Sequence, residues 1–279
     1  MNYLILGIVI LIGVGLYLYS QNHWIKITQY NIAIPYLATS LKKTKIVHLS
    51  DLHIPRHNVS LDKLVAKVRE AKPALILLTG DLVDIRVEEF PKLELSRIAS
   101  ELVAIAPTYA VTGNHDVSSG HLQEWEDILS SQGVRVLIDE AEWLQISNAG
   151  LVIMGLSEKE NFKLQSTPIL SGIELSEGML EQPKILLAHH PEFFESYHLD
   201  QVKSPDITFS GHAHGGQVRV PFIGGLYAPG QGKYPTFSEG IHYHSQLKSK
   251  RLVISRGIGN STFPFRINNR PELVVVTLN

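Results

Sequence analysis

The sequence predicts an α/β protein, a mixed β-sheet covered by helices on both sides, preceded by an apolar N-terminal segment. Three observations carry that reading. From residue 45, short apolar runs alternate with stretches whose apolar residues recur at helical spacing. The run ALILLTG, residues 74–80, is almost wholly apolar, as a strand buried on both faces must be. Late in the chain, hairpin-like pairs of runs follow one another without helices between them, which calls for antiparallel pairs in a partly parallel sheet.

The elements follow in order. YLILGIVILIGVGLYLY, residues 3–19, carries no charge and as a helix would reach roughly 26 Å, slightly short of the roughly 30 Å hydrocarbon core of a bilayer. Tyr17, Tyr19 and Trp24 stand where interfacial aromatics would sit. A signal peptide is the rival, but MNY supplies no basic residue and YSQNHW is a poor cleavage site, so a retained anchor over 1–22 is expected. Lys26, Lys42, Lys43 and Lys45 follow it and no Lys or Arg precedes it. That places the body on the cytoplasmic face of an inner membrane, crossed once. Residues 23–44 are expected to be a linker and a first extended segment, and 45–279 the catalytic domain.

KIVHLS reads as a strand. SLDKLVAKVREAKP reads as a helix with Ser60 as N-cap and Leu61, Leu64, Val65 and Val68 on one face. PKLELSRIASELVAIA is the next amphipathic helix, PTYAVTG the next strand, and HLQEWEDILSSQG a third helix closed by Gly133. VRVLID and a hairpin WLQISNAGLVIMGL follow, with Asn148 to Gly150 supplying the turn. KILLAH and ITFSGH are short strands. The last third, with RVPFIGGLYAPGQGKY, RLVISRG and ELVVVTL, is rich in strands and loops.

Composition removes several function classes. The net charge is −2 over 279 residues, with no basic surplus for nucleic-acid binding. With no cysteine, disulfides, thiolate nucleophiles and zinc–thiolate sites are excluded, while there are 13 histidines.

The apolar runs share an ending. They close in Ser50-Asp51-Leu52-His53, Thr79-Gly80-Asp81, Thr112-Gly113-Asn114-His115-Asp116, Ala188-His189-His190 and Ser210-Gly211-His212-Ala213-His214. Each is a small residue followed by metal-capable side chains. Ligands of open α/β sheets bind outside the carboxyl ends of the strands, so these groups should converge. Asp51 with His53, and His212 with His214, are spaced by two, which in extended chain turns both side chains to one side. Two Asp, one Asn and four His exceed one tetrahedral zinc site. Shared between two divalent transition-metal ions with one carboxylate bridging, they leave room for water. Imidazole suits Mn, Fe, Zn, Co and Ni, with Mn the expected ion. Such a pair clamps the attacking and leaving oxygens of a phosphoryl transfer.

D-x-H, G-D, G-N-H-D, H and G-H-x-H, in this order after strands, resemble the calcineurin-like metallophosphoesterase family over about residues 45–279. The resemblance implies a four-layer αββα sandwich of two mixed sheets. It implies that Asp51, His53 and His214 hold one metal, that Asn114, His189 and His212 hold the second, and that Asp81 bridges. His115 would contact the phosphate and protonate the leaving oxygen, with Asp116 orienting its ring, and metal-bound hydroxide would attack phosphorus in line. His189 and His190 compete for one place; the family's ligand is the first polar residue after the strand, which favours His189. HGGQV and SRGIGNSTFPFRINNRPELVVVTL are similar to the membrane-associated bacterial YaeI/YkuE-like branch. Some relatives there hydrolyse UDP-2,3-diacylglucosamine in lipid A synthesis. The resemblance therefore implies a phosphodiester or lipid-linked pyrophosphate as substrate. Arg256 and Arg266 are candidates to bind its phosphate, or equally to brace a loop.

Two readings compete with this one: a broad-specificity envelope phosphodiesterase, and a non-catalytic scaffold stabilised by metal, against which the His115–Asp116 pair argues. No obligate protein partner is evident. His48, His57, His121 and His198 read as structural, and His242 and His244 as exposed strand positions. Phe222, Tyr227, Tyr234, Phe263 and Phe265 either line a lipid or nucleotide groove or pack the loop-rich region.

Overall fold

The computed structural model describes residues 2–158, 169–261 and 263–279. Its strands are β1 (Lys26–Ile32), β2 (Lys45–Leu49), β3 (Leu75–Thr79), β4 (Thr108–Val111), β5 (Arg135–Val136), β6 (Glu140–Ile146), β7 (Ala149–Leu156), β8 (Lys184–Ala188) and β9 (Ile207–Ser210). They continue with β10 (Arg219–Val220), β11 (Gly224–Gly225), β12 (Tyr227–Ala228), β13 (Gly232–Lys233), β14 (Gly240–Tyr243), β15 (Arg251–Ile254) and β16 (Glu272–Leu278). The helices are α1 (Asn2–His23), α2 (Leu61–Ala71), α3 (Lys92–Val103), α4 (Asn114–Ser118) and α5 (Leu122–Ser131).

Two six-stranded mixed sheets form, ordered β1-β16-β2-β3-β4-β5 and β14-β15-β9-β8-β7-β6. The apolar run of β3 has a partner for each face. Leu75 and Leu77 enter the core between the sheets, opposite Ile185, Leu187, Ile207 and Phe209. Ile76 and Leu78 pack under Leu64, Val68, Leu95, Ile98 and Trp125 of α2, α3 and α5. A third core covers the outside of the second sheet, where Val152, Met154, Leu186 and Leu252 meet Leu170, Phe194 and Tyr197. Four layers result. Among the described residues, the outermost layer over the second sheet holds 3₁₀ turns at Ile169–Gly172 and Pro191–His198, the latter beginning where Pro191 follows β8 almost at once.

Capping and periodicity act as the sequence predicts in α2: the Ser60 hydroxyl accepts from the Lys63 N–H, and Leu61, Leu64, Val65 and Val68 are buried. The β6–β7 hairpin turns on Ser147 and Asn148, because Ile146 pairs with Ala149; Gly150 lies within β7, where a side chain would strike Trp143. The extended segment expected within 23–44 is β1, paired along its length with β16. α1 contains an apolar span of 21 residues, Tyr3–His23, with mean hydropathy 2.2; its most apolar stretch is unburied, and Asn22 near its end is buried against the body. The span is long and apolar enough to cross a membrane.

His48 shows what burial costs a structural histidine. It is fully buried, bonded to Thr79 Oγ1 at 2.7 Å and edge-on to Phe209, and burial pushes its pKa from 6.5 down to about 3. A folded pKa below the unfolded value contributes stability that is present above pH 6.5 and lost as pH falls toward 3. At pH 5 the loss from this group is about 2 kcal/mol. Denaturant titrations should show that His48→Asn flattens the decline in stability between pH 6.5 and 5; an unchanged slope would refute the assignment.

Candidate metal centre

β2, β3 and β4 run parallel in the first sheet, and β8 and β9 in the second, so their carboxyl ends emerge on one side. The expected side chains converge there. His53 Nε2 lies 3.2 Å from His214 Nε2, and His214 Nε2 lies 3.3 Å from Asp51 Oδ1. His189 Nε2 is 3.2 Å from both Asn114 Oδ1 and His212 Nδ1. Asp81 Oδ2 sits between the two groups, 3.8 Å from His53 Nε2 and 3.3 Å from His189 Nε2. Two clusters thus emerge, Asp51-His53-Asp81-His214 and Asp81-His189-His212, sharing Asp81. Imidazole nitrogens facing each other with carboxylate oxygens suit divalent cations of intermediate softness, so the donor set fits a two-ion centre.

The backbone is bent to make this possible. Asp51, His53, Asp81, His212 and His214 all have positive φ, between 46° and 64°. For non-glycine residues that region costs about 1–2 kcal/mol each, and such strain gathers at functional sites. The pairs spaced by two therefore converge through left-handed turns rather than through the extended alternation expected. Gly80, with φ +90°, turns β3 outward, and its α-carbon faces Gly113 so closely that a Cβ would lie 2.5 Å from the Gly113 nitrogen. At Gly211 the constraint is space: a Cβ would overlap the Ser50 hydroxyl and the Asp51 carboxylate. Gly211→Ala should displace Asp51 and cost about 1–3 kcal/mol. Differential scanning calorimetry with and without Mn²⁺ should show both a lower Tm and a smaller metal-induced rise; an unchanged rise would contradict this placement.

Hydrogen bonds fix the donors. His189 Nδ1–H donates to Thr79 O at 2.7 Å, which leaves Nε2 with its lone pair toward Asp81. The His115 N–H donates to Asp81 Oδ1 at 2.7 Å, and the His212 N–H to Asp51 at 3.1 Å. Burial holds His212 and His214 well below the ordinary imidazole range, in the neutral form that ligates metals. Burial alone would lower His189 too, but the Asp81 carboxylate beside it lifts it to about 10. Positive charge is favoured at that point.

His115 is half-buried, 4.5 Å ring to ring from His53, and its Nδ1 accepts from the Ile85 N–H at 3.2 Å. The proton of the neutral ring then sits on Nε2. Asp116 does not orient this ring. Adjacent residues on a helix point apart, and the Asp116 carboxylate instead accepts from the N–H groups of Val83 at 3.0 Å and Gly113 at 2.9 Å. Burial, with the charge of Asp81, raises it to about 7.

Three further expectations change. Arg266 is fully buried and donates to Asn260 Oδ1 and to the carbonyls of Arg256, Gly257, Gly259 and Asn269, so it braces the 256–269 loop rather than meeting phosphate. Arg256 is buried against Glu272, at 2.8 Å, and Glu239, at 3.3 Å, and is likewise committed within the protein. His242 is half-buried on β14, and His244 is buried past its end with Nε2 3.1 Å from Glu195, so neither is an exposed strand position. His190 lies between Glu158, at 2.6 Å, and Glu192, at 3.0 Å, and its ring packs 4.1 Å from that of His212.

Two contributors were not anticipated. Asp84 Oδ2 stands 3.4 Å from His53 Nδ1 and is itself gripped by Arg86. Asn269 Nδ2 donates to His214 O at 2.7 Å. Asp84 follows Asp81 by three residues, the one signal for it; Asn269 gave none.

The comparisons decide the identity. The family model described as calcineurin-like phosphoesterase matches residues 44–216, well over half of the chain. The chain belongs to the calcineurin-like phosphoesterase family. Phosphodiesterase YaeI of Escherichia coli is 30% identical over 95% of this chain and 93% of its own length. The uncharacterized metallophosphoesterase YkuE of Bacillus subtilis is 26% identical over 95% of this chain and 90% of its own. A transmembrane protein with metallophosphoesterase domain from Danio rerio is 26% identical over 91% of this chain but 57% of that protein. This member of the family is a metal-dependent phosphoester hydrolase, with one N-terminal helix long and apolar enough to span a membrane.

Proposed function

We propose that this phosphoesterase is a membrane-anchored, dinuclear phosphodiesterase or pyrophosphatase. The observation that carries the reading is Asp81 Oδ2 standing between two donor clusters. Asp51, His53 and His214 would hold one ion, Asn114, His189 and His212 would hold the other with Asp81 shared between them, and manganese would suit this mixed nitrogen–oxygen donor set. Divalent ions bound there supply Lewis-acid activation of water and neutralise charge on the phosphoryl oxygens. His115 keeps its proton on Nε2, the nitrogen opposite its bond to Ile85, and delivers it to the leaving oxygen. Asp81 holds the His115 backbone and Asp116 holds the turn at Gly113, so both carboxylates keep α4 over the site.

The substrate we assign is a lipid-linked pyrophosphate, specifically UDP-2,3-diacylglucosamine of lipid A synthesis. The apolar α1 and the lysines that follow it support an enzyme on the cytoplasmic face of an inner membrane. Manganese-loaded protein incubated with UDP-2,3-diacylglucosamine should release UMP. Faster turnover of bis(p-nitrophenyl) phosphate without UMP release would favour a broad envelope phosphodiesterase, the reading that likeness to a named phosphodiesterase supports. In that case protease added to intact spheroplasts should digest the catalytic domain.

A further inference from the structure

Two apolar tips project from the loop-rich end of the phosphoesterase. Phe222 and Ile223, 109% and 60% exposed, stand on the turn between β10 and β11, and Phe222 has φ +67°, a strained conformation for a bulky side chain. Phe263 and Phe265, 49% and 48% exposed, form the second tip around Pro264. Large exposed aromatics that touch no core mark a surface meant for something other than water.

The two tips are one unit. Gln217 Nε2 donates to the carbonyls of Phe263 and Phe265 at 2.8 and 3.0 Å, and the Arg219 N–H donates to Ile267 O at 2.9 Å. Asn268 Nδ2 donates to Arg219 O at 3.1 Å, at the foot of the first tip. The same unit is fastened to the last two turns of α1. Tyr17 donates to Asn268 Oδ1 at 2.6 Å and accepts from its N–H at 3.0 Å. Gln21 Oε1 accepts from the Asn269 N–H at 3.1 Å, and Asn22 Oδ1 from the Arg266 N–H at 3.2 Å. The apolar tips therefore share a rigid frame with the end of the apolar helix, where Tyr17, Tyr19 and Trp24 also stand.

We propose that the Phe222–Ile223 and Phe263–Phe265 tips rest in the interfacial layer of the bilayer beside α1, fixing the catalytic face against the membrane. Continuity with α1 selects the occupant: a surface bonded to the last turns of a spanning helix meets the headgroup layer before any soluble partner, and aromatic rings favour that layer. A cavity of about 630 Å³ opens beside the second tip, bordered by Leu226, Tyr227, Phe263 and Pro264, with His214 in its wall. So placed, it receives a lipid-borne phosphoester directly from the bilayer. The proposal rests on α1 being a membrane anchor.

The chain has no cysteine, so single nitroxide labels can be placed cleanly. Full-length Phe222→Cys and Phe263→Cys are reconstituted in phosphatidylethanolamine–phosphatidylglycerol vesicles, with Leu11→Cys in α1 and the 89%-exposed Leu93→Cys on α3 as references. Relaxation by oxygen and by a water-soluble nickel chelate gives each label's depth. The expected result is Leu11 deep, Leu93 aqueous, and residues 222 and 263 at headgroup level. Labels at 222 and 263 as nickel-accessible as Leu93, with Leu11 deep, overturn the docking and leave the anchor standing. Labels shielded equally from both reagents mean a protein covers the tips, which also overturns it. An aqueous Leu11 overturns the anchor and the docking with it.

Discussion

Asp81→Asn should lower kcat/KM for a phosphodiester by about 10³-fold or more, equivalent to about 4 kcal/mol of transition-state stabilisation. The magnitude follows from what one carboxylate does here. Its Oδ2 faces both clusters, its Oδ1 holds the His115 N–H, and its charge lifts His189. Asparagine keeps the shape and one acceptor but removes the charge that two cations would share. Metal analysis of the variant should show fewer bound equivalents than in the wild type. Full metal content with undiminished rate would mean that Asp81 supports the turn and nothing more.

His115→Asn should spare metal content and KM while lowering kcat by about 10²–10³-fold, the usual range for loss of a positioned proton donor. His115 belongs to neither of the two clusters that share Asp81, but lies within ring contact of His53 and near Asp84. The deficit should shrink as the leaving group becomes more acidic, because p-nitrophenolate departs without a proton. An equal loss for alkyl and nitrophenyl esters would remove His115 from proton transfer. Asp116→Asn is the useful companion: its carboxylate braces Val83 and Gly113, so its first effect should fall on stability.

Much of the site was legible in the chain because metal-capable side chains recur at strand ends. A small residue followed by Asp or His after β2, β3, β8 and β9 is a one-dimensional record of a three-dimensional convergence. Ser60 and the buried face of α2 were legible for the same reason: local spacing carried the information. What failed was what tertiary placement decides. Arg266 offers the donors of a phosphate binder, but burial spends them on five acceptors of its own loop. Asp116 neighbours His115 in sequence, yet the start of α4 turns it away. Left-handed turns replaced extended alternation at Asp51, His53, His212 and His214, since only a bend directs both members of a pair at one point. Asp84 and Asn269 serve the site through contacts that no spacing rule describes.

The central claim is that seven side chains gather two divalent ions around Asp81. The most direct test is manganese titration of the purified full-length protein followed by electron paramagnetic resonance and elemental analysis. Two equivalents per chain with a spin-coupled spectrum is the expected result. A single equivalent, or two magnetically isolated ions, would contradict the account.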